Sequence, residues 1–565
     1  MEKVAHSSFI KTSKNGRIDK FKVQTSTLLF ALIIFLAAFL RLYRIQDYMT
    51  FLGDEGRDVL VVYKILHGQP TLLGPTASVG GFFLGPIYYY FITPFLWFFN
   101  YNPVGPAIMV GLFGIATVFL VYKIGSEFFN KGVGLIAAFL YSISPLAIAY
   151  SRSSWNPNLM PFFSLLVLYV LYKAINKNKN RLFILCGVLL GITMQLHYLA
   201  TFLGVIIATY TFLARLHLKG VALTKTALQI CKEYLYVFLG FFIGWSPFLA
   251  FEVRHDFPNI QSIISFIFSS GDAGSNNHFF STIFNVFFRL FARLVTNFPP
   301  PEQVSLNVYK SIALWYYLTL ALALASLLLL AYKFIKSFYN KEQFPKISLL
   351  ALWLLIGVGL FGFYKKPIYD YYFGFMFPLP FLLVGLTISS LYTNAHAFAS
   401  YIVNLLSKSL ANRGRHELTR IGTTGKILSI GIFAALIWIN VRGAPFRYPA
   451  NRQLAQVEEI SRFVLDKSEG KQFNFALIAG GNSDHAYRYF FTLWDRAPVT
   501  IENPQKDPKR KTVADQLLVV CETSPCAPLG NSLWEIAGFG RAEIINEWSV
   551  SVVKVYKLRH YKGKI

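Results

Sequence analysis

Acidic residues are scarce in this chain of 565 residues, where 28 Asp and Glu stand against 54 Lys and Arg and give a net charge of +26. Charged residues make up 15% of the sequence and hydrophobic residues 54%, whereas soluble domains are roughly 25% charged. This composition excludes an ordinary soluble enzyme and also a disordered or collagen-like chain. The sequence has four Cys, and it lacks the paired His or Cys spacing of a typical zinc site, so metal use stays open.

The shortage of acids is confined to the first 442 residues. That segment contains 37 Lys or Arg and 15 Asp or Glu, whereas residues 443–565 contain 17 and 13. The sequence therefore predicts a polytopic α-helical membrane part followed by a small extracytoplasmic α/β domain. The predicted boundaries are 1–26 for a cytoplasmic segment, 27–442 for the transmembrane domain and 443–565 for the C-terminal domain.

Apolar runs predict about eleven spanning helices, each of which needs about 20 residues. The runs are 27–43, 104–122, 133–150, 160–175, 182–199, 200–214, 234–251, 312–332, 347–363, 372–391 and 427–441. Lys and Arg cluster in the N-terminal segment and in four later loops, which favours a cytoplasmic side for all five. The N-terminus is thus predicted on the cytoplasmic side of the plasma membrane and the C-terminal domain on the outer side. Topology accounts for most of the positive charge, so no nucleic-acid partner is predicted.

One further apolar segment, Phe82–Phe99, does not fit as a crossing helix. A crossing there would move all four later basic clusters to the outside, against the preference of Lys and Arg for the cytoplasm. We therefore predict a helix that enters or lies on the outer leaflet. The resulting outer loops include a first loop at 44–81 and a large loop at 252–311.

The positions of the carboxylates separate classes of function. None of the 15 in the membrane part falls inside a predicted span, although ion-coupled transporters need ionisable groups at that depth. Four of them lie between Asp47 and Asp58, directly after the first span. This distribution favours chemistry on a substrate that the lipid presents at the outer face.

The first loop contains the sequence Asp54-Glu55-Gly56-Arg57-Asp58. One interpretation is structural, with Asp54 starting a helix and Glu55 in its first turn. The other is functional, because adjacent carboxylates raise one another's pKa and Arg57 is suited to grip a phosphate. Both can hold, since a helix start is also an anion site.

The motifs after this loop follow a definite order. The carboxylate pair is followed by Gly85-Pro86 and Tyr88-Tyr89-Tyr90, then by Ser144-Pro145 and Ser151-Arg152. This order resembles the GT-C class of membrane glycosyltransferases. Within the class it is similar to glycosyltransferase family 39, which contains the protein O-mannosyltransferases and the lipid A aminoarabinose transferases. The resemblance covers roughly residues 27–390.

The resemblance implies transfer of a hexose or pentose from a polyprenyl-phosphate sugar to an unknown acceptor, which could be a glycolipid, a glycan or a protein. Asp54 would be the catalytic carboxylate and Glu55 its partner, acting as a general base or in metal-assisted positioning. The implied ligands of the donor phosphate are Arg57, Arg152, Lys365 and Lys366. Further substrate-binding candidates are Tyr88, Asn156, His197, Glu252, His255, Asp370 and Tyr371.

The second outer loop departs from the family pattern. Relatives often carry an Asp near the Arg of this loop, whereas this chain has Asn156 and Asn158. The departure puts a metal site with two carboxylates in doubt, and a divalent metal stays open.

After Val441 the pattern predicts helices at 452–467 and 483–494 and strands at 473–479, 516–521, 542–548 and 551–556. The turn Gly480-Gly481-Asn482-Ser483 predicts either a tight strand-to-helix connection or an anion site. An oxidising exterior would also allow Cys521 and Cys526 to form a disulfide. The domain is expected to recognise the acceptor or to cap the active site.

Two other functions remain open from the sequence. A transporter or flippase of lipid-linked glycans would explain the many spans and the basic cytoplasmic loops. An inactive scaffold with a partner-binding outer domain is the third alternative.

Overall fold

The computed structural model describes residues 5–77, 80–219, 223–268, 278–306, 308–393 and 415–563. Parts of the predicted large loop and of the last cytoplasmic basic cluster therefore lie outside the described residues. The helices before the C-terminal domain are Ala5–Leu42, Ile45–Tyr48, Gly53–Leu66, Ile87–Phe98, Val104–Phe128, Lys131–Ile143, Pro145–Tyr150, Met160–Lys177, Asn180–Leu196, Thr201–Lys219, Leu223–Arg254, Pro258–Phe268, Phe279–Leu294, Lys310–Ser337, Phe344–Gly359, Pro378–Thr393 and Arg415–Arg442. Short 3-10 turns lie at Asn156–Leu159, Tyr198–Ala200, Pro301–Gln303, Leu360–Phe363, Asp370–Met376 and Pro445–Arg447.

The chain is a multi-pass membrane protein. In its described part, eight helices are long and apolar enough to cross a membrane, and a ninth span results if Asp370–Met376 and Pro378–Thr393, bent by 63°, are one unit. Two shorter apolar helices, Lys131–Ile143 and Asn180–Leu196, accompany them. Ten of the eleven predicted runs coincide with one of these helices or with the bent pair, whereas the run 133–150 is divided at Ser144 into helices Lys131–Ile143 and Pro145–Tyr150. The number that cross the bilayer stays a prediction.

Helix Ile87–Phe98 occupies the segment that was predicted not to cross. It has 12 residues and is therefore about 18 Å long at 1.5 Å per residue, which is shorter than a hydrocarbon core of about 30 Å. Pro94 lies inside it. The length agrees with a helix that does not span, although its position relative to the lipid stays a prediction.

Two charged groups in the membrane part form a buried pair. Arg215 and Glu233 lie on neighbouring long helices, and the guanidinium Nη2 is 2.5 Å from the carboxylate Oε1. Glu233 directly precedes the predicted span 234–251. It is nevertheless helical, because helix Leu223–Arg254 continues beyond both ends of that run. Pairing reduces the cost of burying these two charges.

The C-terminal domain is a four-stranded sheet with helices packed on it. Its strands are β1 (Asn474–Ile478), β2 (Gln516–Cys521), β3 (Ala542–Val550) and β4 (Val553–His560), in the order β1-β2-β4-β3. Strands β1 and β2 are parallel, and β4 is antiparallel to both β2 and β3. The helices are Gln453–Lys467, His485–Leu493 and Trp534–Ala537. This agrees with the predicted α/β class, and Cys521 and Cys526 form a disulfide.

Helix Gly53–Leu66 joins the two parts of the molecule. It packs against Ile87–Phe98 of the membrane part on one side and against His485–Leu493 of the C-terminal domain on the other. Two glycines permit the second contact. A Cβ at Gly56 would lie 2.3 Å from the backbone nitrogen of Ala486, and one at Gly53 would lie 2.0 Å from the Ser483 hydroxyl.

Candidate active site

Asp54 lies at the meeting point of two cavities. It occupies the first turn of helix Gly53–Leu66, which begins at Gly53, so Asp54 does not hold the predicted starting position. Its side chain is 51% exposed, and it borders a cavity of about 160 Å³ on one side and one of about 820 Å³ on the other. An exposed carboxylate between two cavities can contact a separate molecule in each.

The smaller space, which we call the Arg57 cavity, is enclosed by the membrane part. It is lined by Asp54, Arg57, Pro75, Thr76, Ala77, Leu84, Trp155, Asn156, Pro157, His197, Tyr198 and Tyr371. Four of these, Arg57, Asn156, His197 and Tyr371, are substrate-binding candidates from the sequence. Arg57 is the one Lys or Arg among the lining residues, and it shares this wall with the carboxylate of Asp54.

The larger space, the interdomain cavity, lies between the membrane part and the C-terminal domain. It is lined by Thr50, Leu52, Gly53, Asp54, Glu55, Leu146, Ala149, Tyr150, Ser153, Trp155, Asn158, Gly480, Gly481, Asn482 and Ser483. These lining residues include hydroxyl and amide groups and two carboxylates but no Lys, Arg or His. The Gly480–Ser483 turn thus connects a strand to a helix and also forms part of the cavity wall.

Arg57 is held between two carboxylates. Its Nη1 is 2.7 Å from Asp54 Oδ1, and its Nη2 is 2.8 Å from Asp58 Oδ1. Burial lowers the pKa of Arg57, but the negative charges of Asp58 and Asp54 outweigh this effect and raise it above its ordinary value. The guanidinium therefore stays charged and fixed in orientation.

Asp58 is the buried partner in this group. Burial raises its pKa to about 7, although the nearby charge of Arg57 acts to lower it. Its Oδ2 is buried and has no hydrogen-bond partner among the residues that the structure describes. The charge of Asp58 therefore changes near neutral pH, directly beside Arg57.

Glu55 has a different environment from Asp54. It is buried, and its carboxylate accepts hydrogen bonds from the Thr50 hydroxyl and from the Leu52 backbone N–H. Burial raises the pKa of Glu55 above its ordinary value. Both oxygens are used to hold the turn before the helix, so this geometry favours a supporting role for Glu55 and leaves Asp54 as the accessible carboxylate.

Arg152, predicted as a phosphate ligand, lines neither cavity. Its buried guanidinium donates to the carbonyls of Leu40, Arg41 and Tyr43, where the first helix ends, and it lies 4.9 Å from the ring centroid of Phe446. Arg152 thus satisfies backbone carbonyls that the end of a helix leaves unpaired, and its role as a phosphate ligand stays a prediction.

Several other predicted residues also lie outside the lining of both cavities. Exposed Lys365 and Lys366 are absent from it, and so are Tyr88, Glu252, His255 and Asp370. Glu252 accepts from the Asn259 amide and the Ile260 backbone, and Asp370 is paired with Arg289 and Arg293. Tyr88 is buried with its hydroxyl 2.8 Å from that of Ser154. These contacts give Tyr88, Glu252 and Asp370 structural partners, and exposed His255 contacts the Phe251 carbonyl.

Sequence reasoning did not name Trp155, Tyr198, Asn482 or Ser483 among the site candidates, although it noted the last two in a turn that could bind an anion. Trp155 borders both cavities, Tyr198 lines the Arg57 cavity, and Asn482 and Ser483 reach the interdomain cavity from the C-terminal domain. The aromatic pair adjoins predicted residues in sequence, which is a usable signal. Nothing local connects positions 482 and 483 to the first loop.

Within the described ranges, no group of three or more His, Cys, Asp or Glu side chains is arranged to hold a metal ion. The structure therefore gives no ligand set on which a role for a divalent metal could be based.

Comparisons with known proteins agree with this architecture. Residues 84–250 match the family described as "Dolichyl-phosphate-mannose-protein mannosyltransferase". The "Putative mannosyltransferase YkcB" of Bacillus subtilis (strain 168) is 37% identical over 68 residues, which cover 12% of this chain and 10% of that protein.

Similar folds occur in solved structures. ArnT from Cupriavidus metallidurans bound to undecaprenyl phosphate has a TM-score of 0.56 at 11% identity, over 94% of this chain and 97% of that one. The oligosaccharyltransferase AglB from Archaeoglobus fulgidus, in complex with an inhibitory peptide and a dolichol-phosphate, has a TM-score of 0.53 at 13% identity, over 95% and 74%. The predicted resemblance is thus confirmed, and the chain has the fold of the GT-C membrane glycosyltransferases, with its residues 84–250 similar to the mannosyltransferase family.

Proposed function

We propose that the protein transfers a sugar from a polyprenyl-phosphate donor to a hydroxyl acceptor at the outer face of the membrane, with Asp54 as the general base. The observation that carries the proposal is the position of Asp54 between a cavity that contains Arg57 and a second cavity without cations. The proposal includes the predicted orientation, with the N-terminus cytoplasmic and the domain 443–565 outside.

The Arg57 cavity is suited to the donor phosphate. Arg57 presents a planar, permanently charged group that can form two parallel hydrogen bonds to phosphate oxygens. The solved structures of ArnT and AglB contain undecaprenyl phosphate and a dolichol-phosphate, which supports a polyprenyl-phosphate carrier here. Asn156 and Tyr371 line the same cavity and can hydrogen-bond sugar hydroxyls.

The interdomain cavity is suited to the acceptor. Its hydroxyl, amide and aromatic side chains match a hydroxyl-bearing molecule, and the carboxylates of Asp54 and Glu55 disfavour an anionic one. We therefore assign an uncharged acceptor, such as a glycan hydroxyl or a hydroxyl side chain, to this side.

The reaction then follows from the position of Asp54. Its carboxylate removes the acceptor hydroxyl proton while the oxygen attacks the anomeric carbon. The bond between that carbon and the phosphate oxygen breaks, and polyprenyl phosphate leaves with the electron pair, stabilised by Arg57.

The proposal is tested with purified protein in vesicles, a labelled polyprenyl-phosphate sugar and candidate acceptors. Asp54→Asn should lower the single-turnover transfer rate by about 100-fold to 10,000-fold, the range for loss of a general base, and should retain binding of polyprenyl phosphate. Asp47→Asn is the matched control, because Asp47 pairs with Arg44 at an exposed position.

Undiminished transfer by Asp54→Asn would remove Asp54 from the chemistry. Movement of the intact lipid-linked sugar across the vesicle membrane without cleavage of the sugar–phosphate bond would instead favour a flippase.

A further inference from the structure

We infer that Asn482 and Glu522 of the C-terminal domain are positioning residues that fix the helix carrying Asp54. The inference rests on the proposed function for its effect on sugar transfer, but the contact itself can be tested without any activity. It assigns to the C-terminal domain a part in the chemistry of the membrane part.

The residue before helix Gly53–Leu66 offers no capping side chain. The first N–H groups of a helix lack partners within it and need acceptors from elsewhere, and Ser, Thr, Asp or Asn in the preceding position usually provides one. Here the preceding residue is Leu52, whose side chain has no acceptor and makes no capping hydrogen bond. The Gly53 N–H therefore needs an acceptor from elsewhere in the chain.

Asn482 supplies the missing acceptor from the other domain. The Gly53 N–H donates to Asn482 Oδ1 at 2.9 Å, across 429 positions of sequence. The Leu52 N–H is satisfied by Glu55 at 3.1 Å. The turn that carries Asp54 is thus held at two successive backbone amides. Glu55 accepts from the first, and Asn482 of the C-terminal domain accepts from the second.

Asn482 is itself held in one orientation. Its Nδ2 donates to Glu522 Oε2 at 3.0 Å, and Glu522 Oε1 accepts from the Tyr487 hydroxyl at 2.7 Å. Glu522 follows strand β2 directly, and its N–H donates to the Ile478 carbonyl at the end of β1 at 2.9 Å. A continuous set of hydrogen bonds therefore runs from the sheet through Glu522 and Asn482 to Gly53.

The close packing around Gly53 leaves the helix little freedom to move. An added Cβ at Gly53 would meet the Ser483 hydroxyl, as described above, so the helix start is in direct contact with the turn that contains Asn482. A catalytic group displaced by about 1 Å can lose on the order of 100-fold in rate. Loosening this contact should therefore slow transfer while Asp54 itself and the lining of the Arg57 cavity stay intact.

An exchange of the amide and the carboxylate provides a specific test. Asn482→Asp keeps an acceptor for Gly53 but places a second carboxylate against Glu522. The double variant Asn482→Asp/Glu522→Gln exchanges the two groups, so that the Gln amide donates to the Asp carboxylate and each hydrogen bond has a counterpart. We expect Asn482→Ala and Asn482→Asp to lower the single-turnover rate roughly tenfold, and the double variant to return to within about threefold of the wild type.

Two measurements separate positioning from misfolding. Titration with polyprenyl phosphate should give one binding site per protein in every variant, because the Arg57 cavity is unchanged. Asn531→Ala is the matched control, since the Asn531 side chain contacts Ala527 and Leu533 of its own loop, and it should behave as the wild type. A loss of binding stoichiometry parallel to the loss of rate would overturn the positioning role.

Hydrogen exchange tests the contact independently of the proposed function. In Asn482→Ala the backbone amides of a peptide covering residues 51–57 should exchange faster than in the wild type or in Asn531→Ala. Absence of sugar transfer by the wild type would overturn the proposed function and leave this measurement valid. Unchanged exchange in Asn482→Ala, or failure of the double variant to recover, would overturn the inference.

Discussion

The Arg57 cavity and the interdomain cavity share Asp54 and Trp155 but differ in what else surrounds them. The first is enclosed by the membrane part and has a guanidinium in its wall. The second includes residues 480–483 of the C-terminal domain and has two carboxylates and no Lys, Arg or His in its lining. A guanidinium in the wall of only one cavity would direct an anionic donor to that cavity and leave the other cavity to an uncharged acceptor. Asp54 would contact both molecules.

Among variants that test the difference between the two cavities, the largest effect is expected from removal of the Arg57 guanidinium. Arg57→Ala should weaken binding of polyprenyl phosphate about 10-fold to 100-fold, because a hydrogen bond to a charged group contributes about 1.5–3 kcal/mol. Arg57→Lys should lose less, since it keeps the charge without the planar fork. Binding is measured by titration of the purified protein.

Lys365→Ala is the control for this prediction, because exposed Lys365 lines neither cavity. A larger loss of phosphate binding in Lys365→Ala than in Arg57→Ala would place the donor outside the Arg57 cavity.

A smaller effect is expected from filling the second cavity. Ala149→Trp should raise the acceptor KM about tenfold, because an indole occupies space that the acceptor needs and mismatched packing costs about 1–3 kcal/mol. Donor binding should stay unchanged, since Ala149 lines the interdomain cavity and does not line the Arg57 cavity.

Ala149→Ser provides the control of nearly equal volume and should leave the acceptor KM unaltered. Weaker donor binding in Ala149→Trp, with an unaltered acceptor KM, would reverse the assignment of the two cavities.

The smallest effect concerns pH. The pKa of Asp58 is raised to about 7 by burial, so Asp58 gains negative charge as the pH rises from 6 to 8 and competes with the donor phosphate for Arg57. A phosphodiester analogue of the donor, whose own charge is constant, should therefore bind roughly threefold to fivefold more tightly at pH 6 than at pH 8.

Asp58→Asn should remove most of this pH dependence of binding. The same shift predicts a contribution to folding stability that is present below the ordinary Asp pKa and is lost as the pH rises through about 7. Persistence of the full binding difference in Asp58→Asn would assign the pH dependence to another group.

Much of the fold was predictable because its determinants are local. Apolar runs, the scarcity of charge within them and the change of composition near residue 442 predict a membrane part and a small α/β domain, and the helices and the sheet agree with both. Asp54 and Arg57 were each predicted as site residues, and the structure pairs them within one helical turn. Their ion pair needs no knowledge of the rest of the chain.

The remaining site residues depend on packing. Arg152 and Arg57 have the same side chain in two loops that were predicted to lie outside, yet Arg152 donates to backbone carbonyls at a helix end and Arg57 faces a cavity. Lys365 and Lys366 were predicted as phosphate ligands from the family resemblance, which does not determine the direction of their side chains. Sequence patterns do not encode which way such side chains point.

The sequence by itself determined where the chain is apolar, where its few carboxylates lie and which motif precedes which, because these properties belong to short segments. The tertiary structure decided that Asp54 borders two cavities and that its helix begins against Asn482. That contact joins residues 429 positions apart and requires a glycine on one side and a turn on the other. It depends on how the two domains pack, and no local pattern of either segment specifies it.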